Sequence, residues 1–270
     1  MNLAKRYRIK PGSKVDLSKI DPDETDGFKG GKKDAEKPFL ALNRRLEELQ
    51  EKLWAEGKRK LLVVLQGLDA CGKDGTIRSV FEGVNPLGTR VAAFKVPTEE
   101  ERGHDFLWRV HSKMPGAGEV AIFNRSHYED VLVVRVRNLA PKGVWKPRFQ
   151  QICDFERMLA ENGTKIVKFF LYISKDEQKE RLQDRLDDPL KRWKFRKGDL
   201  DDRALWDSYM AAYEEALEKT SQPWAPWYVV PANRNWYRNL VVANVLVDTL
   251  QAMDLKTPEP EEDLEGVVIE

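Results

Sequence analysis

Leu61-Leu62-Val63-Val64-Leu65-Gln66-Gly67-Leu68-Asp69-Ala70-Cys71-Gly72-Lys73-Asp74-Gly75-Thr76 joins an apolar run of strand length to a glycine-rich turn. Five apolar residues without alternation suit a parallel strand covered on both faces. Ile77, Val80 and Phe81 follow at helical spacing. The turn contains G-x-x-x-x-G-K, with Asp74 where Ser or Thr is usual. So relaxed a pattern arises by chance in about one chain in ten of this length. The strand before it and the helix after it therefore carry the reading, which is a phosphate-binding loop. Glycines let backbone N–H groups converge on phosphate oxygens, the helix N-terminus adds partial positive charge, and Lys73 neutralises the transferring group. Gly67, Ala70, Cys71, Gly72, Lys73, Asp74, Gly75 and Thr76 are the expected phosphate contacts.

Asp69 stands out in such a loop, because a carboxylate repels phosphate unless a cation lies between them. It reads as a Mg²⁺ ligand, with a turn residue bonding its own backbone as the plainer alternative. Asp74 is equally a first-turn acid that favours the helix dipole. Cys71 reads as a small loop residue rather than a nucleophile.

Further apolar runs follow at Val91 to Val96, Val120 to Phe123, Ile166 to Ile173 and Trp227 to Val230, separated by stretches with helical spacing. Strands alternating with helices predict an α/β fold, a three-layer sandwich with a central parallel sheet. Upstream, Phe39, Leu42, Leu46, Leu49 and Leu53 form a stripe on one helix ending near Gly57. About two heptads suit packing within the domain better than a dimer seam. Residues 1–36 mix charges with Gly and Pro and read as an extended arm, residues 37–252 as the catalytic domain, and residues 253–270 as an acidic, solvated tail.

The chain has 270 residues, with 46 Lys and Arg against 45 Asp and Glu and 41% hydrophobic residues. Near-neutral charge excludes a bulk polycation that meets nucleic acid or membrane by net charge alone. Cys71 and Cys153 are the only cysteines, too few for a disulfide framework. With no apolar signal core and no membrane-length run, the expected compartment is the cytoplasm.

The third apolar run ends in Asn124-Arg125-Ser126-His127-Tyr128-Glu129-Asp130, at the sheet edge where open α/β folds bind ligands. Asn124 can coordinate Mg²⁺ through its carbonyl, and Arg125 can grip phosphate bidentately. Ser126-x-x-Glu129 fits a capping box, which is compatible with a metal role for Glu129. His127 reads as a packing or hydrogen-bonding residue. His104 and His111, seven apart on one expected helix, lack a third zinc ligand. If the acceptor is a nucleotide phosphate, its oxygen is already anionic at neutral pH and no general base is required.

Arg181 and Arg185 sit four apart on an expected helix after Ser174, with Leu182 and Leu186 turned to the core. Asp187-Asp188-Pro189 ends that helix. Lys191-Arg192-Trp193-Lys194-Phe195-Arg196-Lys197 then interleaves charge with aromatics, as suits a lid over a polyanion, about residues 179–205. A solvated loop is the plainer reading of the same stretch.

These motifs, together with Pro226-Trp227-Tyr228-Val229-Val230-Pro231-Ala232-Asn233, resemble the polyphosphate kinase 2 family over roughly Pro38 to Leu250. The resemblance implies a phosphate-loop kinase fold with a helical lid that uses inorganic polyphosphate and Mg²⁺, with Mn²⁺ as a substitute, to phosphorylate nucleotides. It gives catalytic roles to Asp69, Lys73, Arg125, Arg181 and Arg185, and polyphosphate contacts to Arg125, Lys191, Lys194, Arg196 and Lys197. Many members carry Asp-Arg-Ser followed by Trp-Tyr-Asn, whereas this chain has Asn124 in place of the Asp and Glu129 in place of the Asn. That variant resembles the class III branch, which accepts AMP and ADP and yields ADP and ATP. Asp69, Asn124 and Glu129 are then the expected metal ligands, with Glu129 supplying the charge Asn124 lacks. A homo-oligomer, dimer or tetramer, is expected, with no nucleic-acid or membrane partner. The rival readings are an ATP-dependent nucleoside or nucleotide kinase and a nucleotide-sensing switch.

Overall fold

Five strands, β1 (Lys60–Gln66), β2 (Thr89–Ala93), β3 (Val120–Asn124), β4 (Thr164–Tyr172) and β5 (Trp227–Pro231), pair in parallel in the order β2-β3-β1-β4-β5. The computed structural model describes residues 3–260, 262 and 269. Leu61 to Leu65 are fully buried because β1 lies between β3 and β4 with helices on both faces. That placement explains a run without polar alternation. The second strand starts and ends earlier than the Val91 to Val96 run suggests. As an edge strand it keeps pairing only while β3 lasts, from Thr89 opposite Val120 to Ala93 opposite Asn124. Val96 lies beyond the sheet and is exposed.

Helices Lys32–Glu56, Lys73–Val80 and Asn235–Gln251 pack together as one layer, and Arg148–Glu161 and Trp206–Thr220 form another. The expected three-layer α/β sandwich is therefore present. Leu46, Leu49 and Leu53 bury the stripe of the first helix, which packs against Asn235–Gln251. Each such leucine contributes about 1.5–3 kcal/mol relative to exposure.

The N-terminal segment differs from an extended, solvated arm. Leu3–Tyr7 is a short helix, and Leu3, Tyr7, Val15 and Leu17 are buried. Ile9 N–H donates to the Trp227 carbonyl at 2.9 Å, adjoining an antiparallel bridge between Arg8 and Tyr228. Its apolar residues are few, but each of these four is seated in the core. The next helix begins at Lys32, where the Gly31 N–H donates to Asp34 Oδ2 at 2.8 Å, so the expected boundary at 36/37 falls inside it. Of the expected acidic tail, residues 261, 263–268 and 270 lie outside the described residues. No helix among the described residues is long and apolar enough to cross a membrane.

Candidate active site

The C-terminal ends of β1, β3, β4 and β5 bring the sequence motifs to one edge of the sheet. Here β1 runs into the loop 67–72, which closes on helix Lys73–Val80. Gly67 and Gly72 have φ of +148° and +103°, where a side chain is strained. A Cβ at Gly67 would also meet the Leu171 carbonyl, and one at Gly72 would collide with the Arg238 guanidinium.

The carbonyl oxygens of residues 67–72 all accept a side-chain hydrogen bond. Lys73 Nζ donates to Gly67 at 2.7 Å and Leu68 at 3.3 Å, and Thr76 Oγ1 to Gly72 at 3.1 Å. Gln178 holds Asp69 at 3.1 Å, Arg181 holds Ala70 at 3.0 Å and Arg238 holds Cys71 at 3.4 Å. Pinning the carbonyls leaves the other loop N–H groups to face an anion, as a phosphate cradle requires, while the Cys71 N–H donates to the Leu68 carbonyl at 3.2 Å. Lys73 is buried over the loop, 3.5 Å from the buried Cys71 thiol.

Arg125 follows β3 with φ of +63°, an αL conformation that costs a non-glycine residue roughly 1 kcal/mol. Its N–H donates to the Leu65 carbonyl at 3.0 Å, which fixes the turn to β1. The guanidinium bridges Asp69 Oδ1 at 2.5 Å and Glu129 Oε2 at 3.3 Å. Burial opposes the Asp69 charge, but Arg125 and then Lys73 outweigh it and hold the carboxyl below its ordinary range. Glu129, first, and Asp69 raise the Arg125 pKa against the opposing effect of burial. Leu132, Tyr209 and Tyr213 help line a small cavity beside them.

Two expectations for Glu129 change. Ser126 Oγ accepts from the Tyr128 N–H rather than from Glu129, and Glu129 Oε1 accepts from Gln66 Nε2 at 2.9 Å. The short 3-10 turn His127–Asp130 leaves no room for the reciprocal capping box. Asp69, Asn124 and Glu129 also do not form a ready ligand set, because Arg125 sits between the two carboxylates and pairs with both. Among the described residues no cluster of three or more His, Cys, Asp or Glu could hold a metal.

The donors still fit Mg²⁺, which binds through one or two carboxylates and completes its shell with substrate phosphates and water. Asp69 uses only Oδ1 toward Arg125, and Asn124 donates through Nδ2 to Asp74 Oδ1 at 2.7 Å, which leaves its carbonyl oxygen available.

The basic helix forms as Lys175–Asp187, with Ser174 Oγ accepting from the Glu177 N–H. Arg181 and Arg185 differ in their contacts. Arg181 is committed to the carbonyls of Ala70, Ala232 and Asn233 and to Glu177. Arg185 faces Asp199, 3.6 Å away, and its charge reaches Asp69. Leu182 is buried as expected, but Leu186, in the last turn of the helix, is 38% exposed. Within the basic stretch 191–197, Lys194 lies 3.8 Å from Asp74, whereas Lys191 pairs with Asp188 and Arg196 and Lys197 are exposed. His104 lies in the loop before helix Trp108–His111 and stacks on Trp108, so the two histidines do not share a helix.

Beneath the second motif lies a buried ionic network that the sequence reading missed. Glu156 and Lys168 are fully buried and paired, and Lys168 Nζ also donates to Tyr128 Oη and the Thr220 carbonyl, both at 2.8 Å. Glu156 Oε1 bonds His127 at 3.2 Å and Tyr128 at 2.9 Å. The network anchors the turn that carries Arg125 and Glu129. Arg238 and Gln66 were missed as well. The signal for Arg238 was a charge within a helix whose following turns are almost wholly apolar, which buries whatever it contains.

A parallel sheet in this strand order, with a glycine-rich loop after β1 and basic residues gathered over it, defines a phosphate-loop kinase. The chain belongs to the polyphosphate kinase 2 family, whose model, "Polyphosphate kinase 2", matches residues 29–258. It is 60% identical over 266 residues to the AMP/ADP-polyphosphate phosphotransferase of Meiothermus ruber, covering 98% of this chain and 100% of that protein. It is 42% identical over 267 residues to the ADP-polyphosphate phosphotransferase of Rhodopseudomonas palustris, covering 94% and 92%. The crystal structure of polyphosphate kinase 2 from Arthrobacter aurescens TC1 matches with a TM-score of 0.94 at 47% identity, covering 97% of this chain and 94% of that one.

Proposed function

We propose that this protein transfers the terminal phosphoryl group of inorganic polyphosphate to AMP and ADP, giving ADP and ATP, as the class III branch does. The near full-length likeness to the Meiothermus ruber protein, whose name gives both acceptors, carries the reading. An anionic oxygen of the acceptor attacks the terminal phosphorus, the bond to the chain breaks, and the shortened polyphosphate leaves. Both sides hold phosphoanhydrides, so the reaction runs in either direction.

Lys73 and the loop N–H groups hold the phosphates, and Arg125 and Arg185 offset charge on the transferring group. Arg181, given a catalytic role by the family resemblance, is assigned instead to holding the loop. Mg²⁺ is the metal this donor set suits, held by Asp69 with Asn124 or Glu129, and it supplies charge neutralisation to the phosphates. Lys191, Lys194, Arg196 and Lys197 steer the polyanion toward the loop.

The test is incubation of the purified protein with AMP, Mg²⁺ and long-chain polyphosphate without ATP, followed by chromatography. ADP and then ATP are the expected products. Product that appears only when ATP replaces polyphosphate overturns the donor assignment. Glu129→Asn is expected to lower turnover on both acceptors by about tenfold, the scale at which loss of a supporting ligand contact acts. Unchanged kinetics would leave Glu129 with no part in holding either Arg125 or the metal.

A further inference from the structure

Arg238 is 2% exposed, yet no acidic side chain pairs with it among the described residues. Its hydrogen-bond partners are neutral: Asn239 Oδ1 at 2.9 and 3.1 Å, Asn235 Oδ1 at 2.6 Å and the Cys71 carbonyl. Burying a charge without a counter-charge is costly. The location compounds the cost. The guanidinium lies against Gly72 and Gly75, at the N-terminal end of helix Lys73–Val80, where the helix already presents partial positive charge. Arg181 is close enough to oppose the same charge. Burial, then Arg181, pull the Arg238 pKa down to about 10, which still leaves it charged at neutral pH.

A cation placed against a helix N-terminus and a second guanidinium is poorly accommodated by the protein alone. An anion in the loop on the other side of the Gly72 backbone removes the conflict. We propose that Arg238 is a positioning residue for the polyphosphate donor: it holds the Cys71 carbonyl back so that the loop N–H groups face the phosphates, and its unpaired charge is offset by the phosphate bound there. The proposal rests on the phosphoryl-transfer reading above. Arg238 acts through the loop backbone and does not itself touch the transferring group.

The test compares wild type, R238K and R238M, each as the full chain. Melting temperature is measured with and without tripolyphosphate and Mg²⁺, and KM and kcat are measured for long-chain polyphosphate. R238M is expected to raise the polyphosphate KM by about tenfold, the effect of removing one nearby charge across a partly screened medium. It is also expected to lose most of the tripolyphosphate-induced rise in melting temperature. R238K, which keeps the charge, is expected to recover most of both. Should R238M not fold, R238Q makes the same comparison, since it keeps a donor for Cys71 without the charge.

A purely structural Arg238 would lower the melting temperature equally with and without tripolyphosphate and leave the shift intact, which overturns the proposal. Equal impairment of R238K and the neutral variant overturns it as well. A wild type with neither a tripolyphosphate shift nor polyphosphate-driven product instead overturns the functional reading.

Discussion

Lys73→Ala is expected to lower kcat for polyphosphate-driven ADP formation by about a hundredfold or more, the scale of losing one preorganised charge at a reacting centre. The reason lies in how the ammonium is held. Lys73 is buried, and its Nζ donates to two carbonyls of its own loop at 2.7 and 3.3 Å. It is thus aimed along the loop, with little left to reorganise as charge builds on the phosphate. Arg125 cannot replace it, because that guanidinium is shared between Asp69 and Glu129. Single-turnover kinetics check the loss, and circular dichroism matching wild type assigns it to chemistry rather than unfolding. Wild-type turnover in the variant would remove the loop from the mechanism.

Glu156→Ala is expected to destabilise the fold by about 3–5 kcal/mol, because it strands the Lys168 charge in the core. Lys168 would keep Tyr128 and Thr220 as partners but lose the one carboxylate that pairs with it among the described residues. Replacing the pair together, Glu156→Leu with Lys168→Met, should recover most of that loss, since apolar residues of similar volume need no counter-charge. Urea denaturation measures both variants, and a single variant as stable as wild type would rule out an energetic role for the pair. The wild type carries a matching acid sensitivity. Burial works against the Glu156 charge, but Lys168 and His127 hold its carboxyl below the ordinary value of 4.5. Folding therefore gains from this group above about pH 4.5 and loses that gain as pH falls through the lowered native value. Below that point the turn carrying Arg125 loses its anchor.

The strands were legible because apolar runs of strand length have few other uses in a chain of this composition. Leu61 to Leu65 and Ile166 to Ile173 show this, and both are almost wholly buried. Boundaries were less legible. The second strand stops at Ala93 because its partner stops, and nothing in Phe94 to Val96 announces that. The N-terminal arm shows the limit of composition as a guide. Scattered apolar residues among many charges look like a solvated segment, but Leu3, Tyr7, Val15 and Leu17 each find a place in the core.

Local pattern alone was enough to single out the glycine-rich turn after β1, the basic stretch 191–197 and the polar burst after β3, because each is a short run of neighbouring residues at fixed spacing. Which side chains meet across the site was decided by the tertiary structure. Arg125 lies 56 residues from Asp69, and Arg238 lies 167 residues from Cys71, yet each pair is in hydrogen-bond contact. The same holds for Arg181 and Arg185, equivalent by helical spacing but separated in role, since one meets loop carbonyls and the other meets Asp199. Electrostatic and hydrogen-bond partners are set by distance in space, and spacing along the chain determines that distance only within a single helix or turn.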